Sequence, residues 1–113
     1  MSQLQYYHNS RCSKSRQGLA LLREHGENPE VIEYLKKPLT FKQLQVLRQH
    51  FPINDFVRTN EAIYRELKLS LNDENQVLAA MVEHPILMQR PIAVKQGKAV
   101  IGRPPEKVLD LLE

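Results

Sequence analysis

Apolar positions change their spacing several times along the chain, and each change marks an element. Residues 3 to 7 form an aromatic-rich apolar segment that stops at Asn9 and Ser10, which predicts a strand. From Ser13 to His25 the leucines at 19 and 22, with Ala20 and Leu21 beside them, predict a helix that Gly26 closes in the left-handed conformation. Pro29 then opens Val31-Ile32-Glu33-Tyr34-Leu35, short and β-branched at its start, which reads as a second strand. Strand, helix and strand make a βαβ unit with parallel strands and a right-handed crossover.

The middle of the chain switches to a helical period. Thr40 with Gln43 resembles a capping box, and Phe41, Leu44, Leu47 and Phe51 recur every three or four residues before Pro52. Asn54-Asp55 and Asn60-Glu61 offer cap signals for two short helices flanking Arg58. Asn72 is expected to start another, with Val77, Leu78, Met81 and Val82 inward until His84-Pro85 stops it. A two-residue period returns at Ile92-Ala93-Val94 and Ala99-Val100-Ile101, predicting a hairpin turned at Gly97-Lys98. Pro104 and Pro105 suit the first turn of a last helix, Glu106 to Leu112, with Val108, Leu109 and Leu112 inward. The expectation is one α/β domain over 1–113, βαβ then ββα, with a helical insertion at about 38–84.

Composition narrows the class without changing that order. The chain has 113 residues, 42% hydrophobic and 26% charged, which suits one globular domain with a single core. No apolar run approaches the roughly 20 residues needed to cross a bilayer, and the N-terminus lacks a basic-then-apolar leader, so no membrane association and a cytoplasmic location are expected. Lys and Arg exceed Asp and Glu by 16 to 13, without the long basic runs that would suggest nucleic acid. Such a surplus suits small anions wherever several arginines converge.

One cysteine, Cys12, lies where the first strand gives way to the first helix. A helix N-terminus offers unpaired N–H groups and partial positive charge, which favour thiolate over thiol, and Arg11, Lys14 and Arg16 add cationic charge nearby. A small buried hydrophobe is the alternative reading of a free cysteine, and the polar neighbours on both sides weigh against it. A lone cysteine cannot form an internal disulfide, so redox chemistry here must recruit a second thiol from another molecule.

A βαβ unit followed by ββα, with a cysteine after the first strand, is the plan of the thioredoxin fold, a four-stranded mixed sheet. Four blocks then carry a more specific likeness: Tyr7-His8-Asn9 with Cys12 and Ser15; Val57-Arg58 with Asn60 and Tyr64-Arg65-Glu66-Leu67; His84-Pro85-Ile86-Leu87 with Arg90-Pro91-Ile92; and Gly102-Arg103-Pro104. With these in order, the chain resembles the glutaredoxin-type arsenate reductases and their relatives, the Spx-type regulators. It departs from well-known detoxifying members at Ser10, where they have proline, and at Ser13-Lys14, where they have Gly-Thr.

The resemblance implies that Cys12 attacks arsenic while Arg58, Arg90 and Arg103 gather the oxyanion, a task suited to guanidinium forks. Taken singly, each arginine would read as a surface residue. The resemblance also implies that a cationic His8 helps hold the thiolate and that Arg90-Pro91 is the cis-proline of the fold, opposite the cysteine. Asn9 would orient the loop through its amide or simply serve a turn, and Ser15 stands where a dithiol enzyme has its second cysteine. His25, His50 and His84 read as surface or packing residues. Turnover would then need glutathione as co-substrate and glutaredoxin as partner, with no bound cofactor or metal. Two other readings stay open: a glutathione-dependent thiol oxidoreductase with a different substrate, and a non-catalytic Spx-like regulator that binds RNA polymerase.

Overall fold

The computed structural model of the chain describes residues 3–112. It divides into two compact units, one made by the chain up to Lys37 together with Arg90 onward, the other by Pro38–Gln89.

The first unit is built on a four-stranded sheet. Strand β1 (Gln5–Tyr7) is followed by helix α1 (Ser13–Glu24) and strand β2 (Glu30–Ile32), and the return segment supplies β3 (Ile92–Lys95) and β4 (Lys98–Ile101). The order across the sheet is β2-β1-β3-β4. β1 runs parallel to β2, with Tyr6 opposite Val31, and antiparallel to β3, with Tyr6 opposite Ala93. The expected βαβ and ββ arrangement is therefore present, with a second strand that starts at Glu30 and stops before Glu33. Its early end leaves Glu33 and Leu35 outside the sheet.

Side-chain alternation explains which face of the sheet is covered. Tyr6 and Ala93 point to the same side and are fully buried with Leu4, Leu19, Leu22, Val108 and Leu111. On α1 the buried positions are Ser15, Gly18, Leu19 and Leu22, an i, i+3, i+4, i+7 stripe whose first two members are small. Gly26, at φ +85°, closes the helix as expected.

Two details of the return segment differ from the sequence expectation. The hairpin turns at Gln96-Gly97, with φ of +51° and +79°, one residue earlier than the expected Gly97-Lys98. Positive φ at both central residues matches the right-handed twist of the strands, and glycine takes it without a Cβ penalty. The final element, Pro105–Leu112, is a 3₁₀ helix and not an α-helix. Its three-residue period buries Pro105, Leu111 and, as expected, Val108, while Leu109 and Leu112, also expected inward, pack against the same core only partly buried.

The second unit is helical: α2 (Phe41–Arg48), α3 (Ile53–Phe56), α4 (Ala62–Glu66), α5 (Glu74–Glu83) and a 3₁₀ turn at Pro85–Leu87. The Thr40 capping box forms, with Gln43 N–H donating to Thr40 Oγ1 at 3.2 Å and Thr40 N–H to Gln43 Oε1 at 2.9 Å. Leu44 and Leu47 of α2 are buried, as are Val77, Leu78 and Met81 of α5, and Arg48 pairs with Glu74 at 2.9 Å. The other cap signals shift. Pro52 and Glu61 precede α3 and α4 without side-chain caps, and Asp73, not Asn72, caps α5 through Gln76 N–H.

Gly102 ends β4 against Pro91 and Val108: a Cβ there would meet Pro91 Cγ at 2.8 Å and Val108 Cγ1 at 2.9 Å. Gly102→Ala should therefore destabilise the chain by about 1–3 kcal/mol, the usual cost of overpacking, read as a lower urea midpoint at unchanged slope.

Candidate active site

Cys12 is the N-cap of α1, with φ −94° and ψ 121°, and its side chain is half-buried. The loop before it is pinned residue by residue. Asn9 carbonyl accepts the Cys12 N–H at 3.0 Å, and Asn9 Oδ1 accepts the Arg11 N–H at 3.0 Å, so the Asn9 side chain makes the turn and orients the loop in one act. Arg16 N–H donates to Cys12 carbonyl at 3.0 Å and begins the helix.

Burial alone pushes the Cys12 thiol up. The backbone N–H groups of Ser15 and Lys14 and the guanidinium of Arg90 outweigh it, leaving the thiol below its ordinary range. The helix N-terminus thus acts as the sequence suggested. The cation does not come from the local basic residues, however. Arg16 turns its guanidinium to Ser10 carbonyl at 2.8 Å, and Arg90, brought in at the start of β3, hydrogen-bonds and attracts the sulfur.

Arg103 reaches the backbone of Arg90. The Arg90-Pro91 peptide is cis, as the resemblance implied, and Arg103-Pro104 is cis as well. β3 and β4 pair Ile92 with Ile101, so the two arginines leave adjacent strand ends, and Arg103 Nη1 donates to Arg90 carbonyl at 2.9 Å. Pro91 is buried beside Gly102, whose N–H donates to Pro91 carbonyl at 2.9 Å.

Arg58 belongs to the helical unit. An antiparallel bridge between Val57 and Met88 sets its backbone, and its N–H donates to Leu87 carbonyl at 2.8 Å. Its guanidinium is held by Glu61, Nε to Oε2 at 3.0 Å, and by Gln89, Nη1 to Oε1 at 2.8 Å. Sequence reasoning named Arg58 and missed Glu61 and Gln89, because nothing in one chain's pattern marks the partners of a guanidinium.

Ser15 is fully buried and every polar group on it is engaged. His8 Nδ1 lies 2.7 Å from Ser15 Oγ, and Asn9 N–H donates to the same oxygen at 3.0 Å. Tyr6 hydroxyl donates to Ser15 carbonyl at 2.6 Å. Burial also pulls the His8 pKa down, which favours the neutral ring. His8 meets Ser15 in this structure, and the charge beside the sulfur comes from Arg90. Tyr6 and Gly18 were not singled out from sequence. A tyrosine on an inward strand position reads as core, and only the isolated glycine inside a helix gave a signal.

The model of the ArsC family matches residues 7–111. An uncharacterised protein of Escherichia coli K12 is 46% identical over 115 residues, covering 97% of each chain. A protein named arsenate reductase from Haemophilus influenzae is 41% identical over 111 residues, covering 94% of this chain and 96% of its own. The solved structure of an arsenate reductase from Vibrio cholerae superposes with a TM-score of 0.89 at 41% identity, over 96% of this chain and 97% of that one. The fold is thioredoxin-like, with the four-stranded mixed sheet its plan requires.

Iodoacetamide alkylation against pH should titrate Cys12 below the ordinary thiol value, and Arg90→Gln should move the midpoint up toward ~8.5 by removing the charge that favours S⁻. Ser15→Ala strands His8 Nδ1 and the Asn9 N–H in a buried site, so denaturant unfolding should show a loss of about 1–3 kcal/mol.

Proposed function

The chain belongs to the ArsC family, and on that premise we propose that it reduces arsenate to arsenite, with Cys12 as nucleophile and glutathione and glutaredoxin as electron source. The observation that carries the reading is the thiol of Cys12, held below its ordinary range beside the Arg90 guanidinium at the start of α1.

Arsenate is a tetrahedral oxyanion, and a guanidinium next to a sulfur nucleophile serves two purposes. It binds the anion's oxygens, and it neutralises charge that builds as sulfur approaches arsenic. Arg103, tied to the Arg90 carbonyl, is a second cation on the same unit. The family resemblance assigns Arg58 as the third.

In the proposed cycle, Cys12 S⁻ attacks arsenic and displaces one hydroxyl, which leaves as water after protonation, giving a Cys12-S-As(V) adduct. Glutathione replaces a second hydroxyl through its own sulfur. A glutaredoxin thiolate then attacks the glutathione sulfur. The electron pair of the S–As bond passes to arsenic, which becomes As(III), and glutaredoxin and glutathione leave as a mixed disulfide. Water finally displaces Cys12 and frees arsenite. The external thiols follow from Ser15: a buried serine occupies the position of a resolving cysteine, and the chain has one cysteine in all.

The test supplies arsenate with glutathione, glutaredoxin and a reductant and follows arsenite. Wild type should turn over and Cys12→Ser should not. Alanine at Arg58, Arg90 or Arg103 should each slow turnover by about tenfold or more, on the order of the loss of one charge-assisted hydrogen bond. Full rates in all three arginine variants would remove the anion-site assignment, and a folded wild type without turnover would remove arsenate.

A further inference from the structure

Ser15 is the residue through which the thiol is held, and Tyr6 grips it from the side away from the solvent. Tyr6 is fully buried, and its hydroxyl donates to Ser15 carbonyl at 2.6 Å. The Leu19 N–H faces the same hydroxyl oxygen, so the hydroxyl lies against the backbone ladder of α1 at its first turn. Such an approach requires a gap in the helix surface. Residue 18 supplies it: a Cβ on Gly18 would sit 2.5 Å from Tyr6 Oη, 3.5 Å from Cζ and 3.4 Å from Val108 Cγ1.

We propose that Tyr6 is a positioning residue for the Cys12 thiolate, acting through Ser15 in the space that Gly18 leaves open. Ser15 has three anchors, all on β1 or directly after it. His8 and Asn9 hold its hydroxyl, and Tyr6 holds its carbonyl. Its remaining polar group, the N–H, faces Cys12 Sγ. The Tyr6 bond fixes the first turn in the orientation that aims the Ser15 and Lys14 N–H groups at sulfur. The hydroxyl stays a donor throughout the working pH range, because burial, aided by the negative sulfur nearby, raises its pKa far above neutral. Gly18 also explains itself: glycine inside a helix costs about 1 kcal/mol relative to alanine, and here the cost accompanies a contact that alanine would block.

This inference rests on Cys12 being the reactive group, and its test needs no arsenate. The thiolate titration of wild type is compared with Tyr6→Phe, Gly18→Ala and the double variant, by absorbance at the thiolate band and by iodoacetamide rate against pH. Tyr6→Phe should move the midpoint up by about half a pH unit, which lowers the thiolate population about threefold on the acid side of the curve. Gly18→Ala should give a shift of the same sign by displacing the hydroxyl. In the Tyr6→Phe background Gly18→Ala should add little, since the atom it collides with is gone. An unchanged midpoint in folded Tyr6→Phe overturns the proposal, and so do additive shifts in the double variant or loss of folding by Tyr6→Phe, which would make the residue structural only. A midpoint shift together with absent arsenate turnover upholds the role of Tyr6 while removing the reductase reading.

Discussion

Everything around Cys12 depends on burying one polar residue without leaving it unsatisfied. Ser15 sits in the core stripe of α1, at a position that helical periodicity would give to an apolar side chain. An unpartnered hydroxyl there would cost on the order of 1–3 kcal/mol. The cost is offset by His8, Asn9 and Tyr6, and those bonds tie the end of β1 to the first turn of α1. The same ties aim backbone N–H groups at the sulfur. Satisfying a buried serine and preparing a thiolate are, in this chain, one arrangement.

Charge follows a different route. A helix N-terminus supplies only a partial charge, whereas a guanidinium brings a full one. Arg90 is carried to the sulfur by β3, and Arg103, one strand over, binds its carbonyl. The nearby Arg11 and Lys14 are exposed, and Arg16 is committed to the loop. The downward shift of His8 is consistent with this division, since burial and the charges of Arg23 and Arg16 outweigh the pull of Glu33 on an imidazolium. Lysine could supply the charge of Arg90 but not the planar fork that binds an oxyanion at two points.

Several features were legible in the sequence because local rules decide them. The Thr40-Gln43 box, the closure of α1 at Gly26, the stop at His84-Pro85 and the parallel pairing of β1 with β2 each follow from residues within one element or one crossover. Differences fell where the local pattern fits two solutions. The last element holds the same apolar residues in a 3₁₀ or an α-helix, and packing under the sheet selects Val108 and Leu111. The hairpin register moved by one residue because Gln96 accepts a positive φ once Gly97 follows it.

Sequence by itself determined that the chain carries one cysteine, its place after the first strand and the lack of a second thiol to pair with it. Those are properties of residue type and order. Tertiary structure alone decided which cation the thiol meets, that burial lowers the His8 pKa, that Ser15 is a buried anchor and that Tyr6 reaches it over Gly18. The reason is that pKa and hydrogen-bond partners are set by what lies within a few ångströms in space. Residues 6, 15, 18 and 90 come that close only when strand, helix and the returning hairpin pack on one another.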